Sequence, residues 1–328
     1  MRPQMAQAGG AGVVAIVNPS SAGGRTGRRW PEALAALQAA GLSPRVWLTT
    51  AREDATRLTR EAIAGGAQTV LAVGGDGTLS EVVNGLFDAA GQPLRPVTVG
   101  LLPAGSGGDF RRTLGIPGSF AGAIAVLERG EVRTLDLGRV TYADGSRRHF
   151  ANIADCGVGG EVVARVNRGP RRAGGSVTFL YHALRSLMSY AARPVRLEVD
   201  GQVWGGTVQN VVFANGQYFG GGMRVAPDAD PTDGLLDVVV VESSSRSSTL
   251  RGMARIYRGR HLGHPGVISL RGRHMRVESM APAAPLRFDV DGEDIGATPA
   301  TVECLPGALR LLAPRAGSLG RGGPAAGF

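Results

Sequence analysis

The stretch TVLAVGGDGTLS at residues 69–80 decides the fold of the first half of this chain. Its first five residues are apolar or β-branched, which predicts a short buried strand that ends at Gly74. Glycines and Asp76 then form a turn, and apolar residues at helical spacing resume at Leu79. A strand that runs through such a turn into a helix is typical of a βα unit in a parallel sheet.

Similar units lie on both sides of this stretch. The residue patterns predict further strands at residues 13–17, 45–49 and 97–102, and helices at residues 30–40, 54–64 and 79–87. Strands that alternate with helices indicate a doubly wound parallel sheet. Ligands of such sheets bind beyond the carboxyl ends of the strands, so we expect a site at the turns that follow them.

Toward the middle of the chain the pattern changes to short alternating runs separated by turns. The runs lie at residues 134–142, 149–155, 195–199, 208–214, 235–241, 267–270, 274–278 and 286–290. They predict a β-sandwich or barrel, interrupted by one helix at residues 177–192. We therefore expect an α/β plus β protein, with an α/β domain at residues 12–135, a β-sandwich domain at residues 136–314, and flexible residues at 1–11 and 316–328.

The basic residues are unusual because all 36 of them are arginine, against 27 acidic residues, for a net charge of +9. The absence of lysine excludes Schiff-base enzymes, pyridoxal-phosphate enzymes and phosphate-loop NTPases with a GK[ST] lysine. Any bound phosphate must be held by arginine, backbone amides, hydroxyls or a metal ion. The arginines are spread along the chain without an aromatic RNA-binding signature, so we expect no nucleic-acid partner.

The two cysteines, Cys156 and Cys304, are too few and too far apart for a disulfide framework. No apolar run reaches the roughly 18 residues of a spanning helix. The start of the chain also lacks the basic residues and the long apolar run of a signal peptide. The sequence therefore predicts a soluble protein of the reducing cytoplasm, and it leaves both a monomer and a homodimer open.

Three glycine-rich segments follow three of the predicted strands: VNPSSAGG at residues 17–24, GGDGT at residues 74–78 and LPAGSGGDF at residues 102–110. Glycines let the backbone approach a phosphate closely, and amides at the following helix starts point at anionic oxygens. Asp76 would repel a bare phosphate, so it indicates a magnesium ion or a hydroxyl group as its partner. GGDG alone is equally consistent with a tight turn and a helix-capping aspartate, but three such loops at one sheet edge favour a phosphate site.

These segments resemble the nucleotide-site motifs of the diacylglycerol kinase catalytic-domain family, which holds bacterial lipid kinases together with sphingosine and ceramide kinases. In the second half, GGGMRVAPDADPTDGLLDVVVV (residues 220–241), RGRHLGHPGV (residues 258–267) and DVDGE (residues 289–293) follow in the order of that family. GGDGT also occurs in NAD kinases. The GGGM and DGLLD segments and the late DGE are therefore what favour a lipid kinase.

The resemblance implies a nucleotide-binding α/β lobe and a β-sandwich substrate lobe, with ATP and substrate in the cleft between them and the last segment returning to the first lobe. The chain departs from the family at two positions: Ser106 replaces the usual threonine but keeps its hydroxyl, whereas Gly108 replaces the usual asparagine and puts the detailed nucleotide contacts in question. The matching nucleotide positions are Asn18, Pro19, Ser20, Ser21, Ala22, Thr49, Gly74, Gly75, Asp76, Gly77, Thr78, Leu79, Ser80, Ser106 and Asp109.

The resemblance also assigns acidic residues of the second half. Glu293 matches the catalytic acid/base of the family, with Asp291 beside it. Asp230, Asp233 and Leu235 match a magnesium site, the first and last of them through backbone carbonyls. Taken alone, Asp-Gly-Glu between two strands is more often an ordinary hairpin turn.

The sequence thus predicts an ATP- and Mg²⁺-dependent lipid kinase that transfers the γ-phosphoryl group to a hydroxyl of diacylglycerol or a related lipid. One alternative is an NAD kinase-like enzyme or another kinase of a soluble substrate. A second alternative, motivated by Gly108, is a non-catalytic protein that binds nucleotide or lipid.

Two weaker signals lie in the second half. Arginines at positions 168, 171 and 172 precede the helix predicted at residues 177–192, a pairing that suits peripheral contact with anionic lipid headgroups. An ordinary packing helix after a solvated loop is the alternative. His261 and His264 lie three residues apart without a third ligand nearby, which does not favour a zinc site.

Overall fold

A computed structural model of the protein describes residues 12–104, 108–168, 190–243, 252 and 254–315. The chain divides into two compact units. Unit 1 comprises Met1–Asp88, Pro93–Thr134 and Arg310–Phe328, and unit 2 comprises Ala89–Gln92 and Leu135–Leu309. The expectations for the two termini and for Ser106 fall outside the described residues, as does the helix expected at residues 177–192 except for residues 190–192.

Unit 1 is an α/β unit built on a parallel sheet. The strands are β1 (Val13–Val17), β2 (Arg45–Leu48), β3 (Thr69–Gly74) and β4 (Thr98–Pro103), and the helices are α1 (Arg25–Ala39), α2 (Asp54–Ala64), α3 (Asp76–Asn84), α4 (Asp109–Thr113) and α5 (Phe120–Arg129). The sheet order is β4-β3-β1-β2, and every pairing is parallel. Because β1, β3 and β4 are buried along their whole length, their sequences are continuous apolar runs.

Two features of unit 1 differ from the sequence-based expectation. Helix α1 begins at Arg25, five residues before the predicted start, and it contains Pro31, which lacks the N–H of a regular helical bond. Helices α4 and α5 were not predicted at all. The start of α5 carries a recognisable signal, since the Ser119 hydroxyl accepts the Gly122 amide at 3.2 Å as an N-cap.

Unit 2 is an antiparallel, sandwich-like unit. Its elements are β5 (Glu131–Tyr142), β6 (Arg147–Phe150), β7 (Ile153–Gly157), α6 (Val158–Arg168), β8 (Arg193–Val199), β9 (Gln202–Ala214), β10 (Leu236–Glu242), β11 (Val267–Gly272), β12 (His274–Ser279), β13 (Arg287–Val290), β14 (Glu293–Ala297) and β15 (Ala300–Ala313). The strand order is β14-β13-β7-β9-β8-β12-β15, with β10 between β9 and β11. In unit 1, the last residues of β15 pair with β4 in parallel through Arg310 and Leu311. The predicted class, an α/β part plus a β part, is confirmed.

Strand β9 shows how the core of unit 2 is built on two faces. Its Val211 and Phe213 belong to one apolar cluster, whereas Val212 and Ala214 belong to another on the opposite face. Alternate residues of a strand point to opposite faces, so both faces of this strand are covered. The sequence of β9 is accordingly apolar at consecutive positions near its end.

Strands β13 and β14 form the hairpin that carries the Asp-Gly-Glu segment. Its two central residues, Asp291 and Gly292, have φ values of 50° and 90°, which is the left-handed conformation that tight hairpin turns require. The Asp289 carboxylate accepts the Gly292 amide at 2.7 Å and braces the turn from inside. Glu293 is consequently the first residue of β14.

One strand of this hairpin, β13, carries half of a carboxyl pair. Asp289 of β13 lies directly opposite Asp155 of β7 in the antiparallel register. Asp155 is fully buried, and a Cβ at Gly159 in α6 would lie only 1.9 Å from its Oδ1 atom. Burial raises the pKa of Asp155 to about 7. Burial and the neighbouring Asp155 charge raise the pKa of Asp289 well above its usual range. The fold therefore favours the protonated form of this pair.

We expect Asp155→Asn to make the protein more stable than the wild type at alkaline pH and not at acidic pH. Unfolded Asp155 ionises near its ordinary value of 3.8, whereas the folded group holds its proton to about pH 7, so wild-type stability falls as pH rises through this window. By about pH 8 the difference should reach about 2–4 kcal/mol. Denaturant unfolding of both proteins from about pH 5 to about pH 8 measures it.

The control for this prediction is Asp144→Asn. Asp144 is exposed, and its hydrogen bonds to Ser146 lower its pKa, so any stability that it contributes is lost only under more acidic conditions. Its difference from the wild type should stay constant over the same pH range. A similarly constant difference for Asp155→Asn would contradict the protonated-pair interpretation.

Candidate functional site

The three glycine-rich loops of unit 1 are joined to one another by hydrogen bonds at the carboxyl edge of the sheet. The Asn18 side chain donates to the Thr78 hydroxyl at 3.2 Å, which ties the loop after β1 to the loop after β3. The Thr26 hydroxyl donates to the Ala104 carbonyl at 3.3 Å, which ties the start of α1 to the loop after β4. The loops predicted from separate motifs are therefore linked by side-chain hydrogen bonds in their described residues.

The loop after β1 turns by means of three successive residues in the left-handed conformation. Ala22, Gly23 and Gly24 have φ values of 55°, 65° and 82°. Ala22 is the unusual member, because a residue with a Cβ rarely adopts this conformation. The turn delivers the chain into α1, whose first residue, Arg25, donates to the Ala22 carbonyl at 3.2 Å.

The loop after β3 leads directly into α3, which begins at Asp76. Gly74 is required for close approach, because a Cβ there would lie 2.3 Å from the Thr78 hydroxyl. Leu79 and Ser80 are buried in the helix, so they can offer a nucleotide only backbone groups. The exposed Gly77 has open space around its Cα and leaves the helix start accessible to an anion.

Asp76 was expected to face a magnesium ion or a hydroxyl group, and the structure gives one of its oxygens another partner. Its Oδ2 atom accepts the amides of Gly108 and Asp109 at 2.7 and 3.1 Å. Asp76 thus holds the loop after β4 against the loop after β3. The Asp109 carboxylate, in turn, is paired with Arg112 one helical turn later.

Gly108 occupies the position where the resembled family has asparagine. Its φ of 74° lies in the left-handed region, which glycine and asparagine both tolerate better than other residues. The substitution is therefore compatible with the same backbone path, and what it removes is an amide side chain.

The remaining positions expected at the nucleotide lie along the same edge: Pro19, Ser20 and Ser21 after β1, Thr49 after β2, and Gly75 before α3.

In unit 2, Asp291 and Glu293 stand two residues apart but have different partners. The Asp291 carboxylate accepts the amides of Ala151, Asn152 and Ile153 at 3.0 to 3.2 Å. It therefore anchors the hairpin to the start of β7 and the two residues before it. Because the Asp291 carboxylate already accepts three amide hydrogen bonds, its role in this structure is to hold the hairpin in place.

Glu293 is paired with an arginine that the sequence patterns did not single out. Its Oε2 atom accepts a hydrogen bond from Arg148 Nη2 at 2.5 Å, and both residues are less than a tenth exposed. Arg148 lies on β6, within the run RRHF, where two adjacent arginines resemble a solvated strand edge. Its contact with Glu293, 145 residues later in the chain, is visible only in the tertiary structure.

The loop at residues 230–235 of unit 2 carries the residues expected to hold magnesium. Asp136 of β5 anchors this loop, since its Oδ2 atom accepts the Gly234 amide at 2.7 Å and its Oδ1 atom accepts the Gly307 amide at 2.8 Å. The Asp233 carboxylate accepts the Leu235 amide at 3.0 Å and a hydrogen bond from Arg271. Asp136 and Arg271 were both missed from the sequence.

The acidic side chains of this loop already have partners within the protein, which leaves less room for a metal ion to bind them. The Asp230 carboxylate is bonded within its own loop, accepting the Thr232 amide and hydroxyl at 3.0 and 2.7 Å. The guanidinium of Arg271, itself a cation, already contacts Asp233. Nowhere in the described residues do three or more His, Cys, Asp or Glu side chains form a group that could hold a metal.

Two further sequence signals have plain structural outcomes. His261 is buried, and its Nε2 atom lies 2.8 Å from the Val225 carbonyl oxygen, which is a structural contact. Of the expected arginine cluster, Arg168 ends α6, whereas Arg171 and Arg172 lie outside the described residues. The helix expected at residues 177–192 is described only at residues 190–192, which are not helical. Among the helices that are described, none has both the length and the apolar character needed to cross a membrane.

Comparison with known proteins finds two domain types along the chain. The diacylglycerol kinase catalytic domain matches residues 12–140. The YegS C-terminal NAD kinase beta sandwich-like domain matches residues 152–313. The two matches follow each other in the order in which the motifs were found in the sequence.

Curated relatives and solved structures cover nearly the whole chain. A diacylglycerol kinase of Mycobacterium tuberculosis (strain ATCC 25618 / H37Rv) is 31% identical over 313 residues, which is 93% of this chain and 96% of the relative. A diacylglycerol kinase of Staphylococcus aureus (strain MRSA252) is 30% identical over 299 residues, 91% of each chain.

Two solved structures from Bacillus anthracis str. Sterne, one described as a diacylglycerol kinase and the other as a candidate for that activity, have TM-scores of 0.68 and 0.74. They share 25% and 27% sequence identity with this chain, and each match covers 92% of it and 97% of the solved chain. These matches confirm the resemblance seen in the motifs: the chain belongs to the diacylglycerol kinase family of YegS-like lipid kinases.

Proposed function

We propose that the protein transfers the γ-phosphoryl group of Mg·ATP to a hydroxyl of diacylglycerol or a related lipid alcohol. The observation that carries this proposal is the buried Glu293 at the head of β14, held by Arg148, in a member of a lipid kinase family. Unit 1 supports it with three glycine-rich loops that are bonded together at one sheet edge.

Unit 1 binds the nucleotide in this proposal. The chain contains no lysine, so backbone amides of the three loops and the start of α3 supply most of the donors to the phosphates. Asp76 acts by holding the loop after β4 in place. The magnesium ion arrives with ATP as part of the substrate.

Glu293 serves as the general base. The lipid hydroxyl oxygen forms a bond to the γ-phosphorus, the bond from that phosphorus to the β,γ-bridging oxygen breaks, and ADP leaves with the electron pair. The hydroxyl proton passes to the Glu293 carboxylate as the new bond forms. Arg148 fixes the carboxylate in one orientation, and Asp291 fixes the hairpin on which it stands.

The acceptor lipid is a membrane component, so the enzyme works at a membrane surface while drawing ATP from the cytoplasm. A thin-layer assay with radiolabelled ATP, run in parallel with extracted membrane lipids and with NAD as the acceptor, tests the proposed acceptor class. Label in a phospholipid supports the proposal. Label transferred to NAD instead would establish the soluble-substrate alternative, and nucleotide binding without transfer to any acceptor would establish the non-catalytic one.

We expect Glu293→Gln to lower kcat by roughly 10²- to 10⁴-fold, because glutamine cannot accept the hydroxyl proton. ATP affinity should stay unchanged, since Glu293 belongs to unit 2. The matched control is Glu303→Gln, which also removes a glutamate paired with an arginine, Arg139, at 2.6 Å. Lipid phosphorylation at the wild-type rate in Glu293→Gln would refute the assignment of the base.

Asp76→Ala should weaken ATP binding by roughly tenfold or more, because the amides of Gly108 and Asp109 lose their acceptor and the loop after β4 is released. Titration calorimetry with Mg·ATP measures the change. Glu61→Ala is the control, since it removes an exposed carboxylate of α2 that pairs with Arg57. Equal affinity in Asp76→Ala and the wild type would show that this anchor is not needed.

A further inference from the structure

The loop at residues 230–235 stands where the family resemblance implies a resident magnesium ion, yet one carboxylate oxygen of Asp230 and both of Asp233 have partners from the protein itself. Asp230 closes a small turn with the amide and hydroxyl of Thr232. Asp233 Oδ1 accepts the Leu235 amide, and Asp233 Oδ2 accepts Arg271 Nη2. Local hydrogen bonds and one guanidinium therefore order the loop.

Arg271 is placed at this loop by strand register. It lies on β11 directly opposite Asp237 of β10 in the antiparallel pairing. Its Nε atom is 3.5 Å from the buried Asp237 carboxylate, and its Nη2 atom reaches Asp233. A single guanidinium thus bridges two carboxylates, one from the strand and one from the loop. Its planar donors suit this bridging geometry.

We infer that the Arg271 guanidinium takes the place of a divalent cation at this loop, so that the loop is ordered without bound metal. The guanidinium supplies the positive charge that two neighbouring carboxylates require. It also repels a second cation at the same position. Asp136 holds the other side of the loop by accepting the Gly234 amide. The loop is thus anchored on both sides by protein side chains.

The test is thermal unfolding of the full-length, nucleotide-free protein in EDTA and in millimolar magnesium chloride. The wild-type Tm should be the same in both. Arg271→Gln should lower the Tm in EDTA by roughly 3 °C. Magnesium should recover part of that loss, because Asp233 and Asp237 are then free to bind it. Arg276→Gln is the control, since it removes an exposed arginine that pairs with Glu278, two residues along the same strand.

Three outcomes would overturn the inference. A wild-type Tm that rises saturably with magnesium, and stops doing so in Asp233→Asn, would show that the loop holds a metal. An Arg271→Gln protein no less stable than Arg276→Gln would show that Arg271 does not order the loop. Loss of stability without recovery in magnesium would show that Arg271 does not occupy a cation position. None of these measurements requires turnover, so they stand independently of the proposed kinase activity.

Discussion

The loops of both units depend on one interaction, the hydrogen bond from a backbone amide to an aspartate carboxylate. Asp76 accepts two amides of the loop after β4, Asp136 accepts the Gly234 and Gly307 amides, and Asp291 accepts three amides at the start of β7. Amides in glycine-rich turns have no partner in a helix or strand, and leaving them buried without an acceptor costs about 1–3 kcal/mol each. A carboxylate can satisfy several of them at once, so these aspartates determine the path of the loops around the candidate site.

Because the chain contains no lysine, the positively charged partners of its carboxylates are arginines. Every strong cation is a guanidinium, and the chain uses its fixed planar donors to hold carboxylates in place. Arg148 orients Glu293, Arg271 bridges Asp233 and Asp237, and Arg112 pairs with Asp109. Arginine stays charged at physiological pH, so any pH dependence of these pairs comes from the carboxylate partner. Burial raises the pKa of Asp237 to about 6 and that of Asp155 to about 7, so these two buried acids titrate near physiological pH.

Much of the fold could be predicted from the chain alone. The continuous apolar runs of β1, β3 and β4 and the turns that follow them indicated the parallel sheet, and the alternating runs of the second half indicated the antiparallel one. Short or irregular elements escaped prediction: α4 has only five residues, and α1 continues through Pro31, a residue that usually marks a helix start. The motifs also identified the family correctly, because glycines that must approach a ligand or a neighbouring loop leave a local pattern.

The sequence by itself determined to which family the chain belongs and which acidic residues are candidates for its chemistry, since both are written in short contiguous segments such as GGDGT and DGE. Only the tertiary structure decided what each acidic group does. Asp76, Asp233 and Glu293 are alike as carboxylates in glycine-rich or strand-end turns, but their partners lie 32, 38 and 145 residues away in the chain. The role of a carboxylate depends on which donors the fold brings to it, and those donors come from segments whose proximity no local pattern encodes.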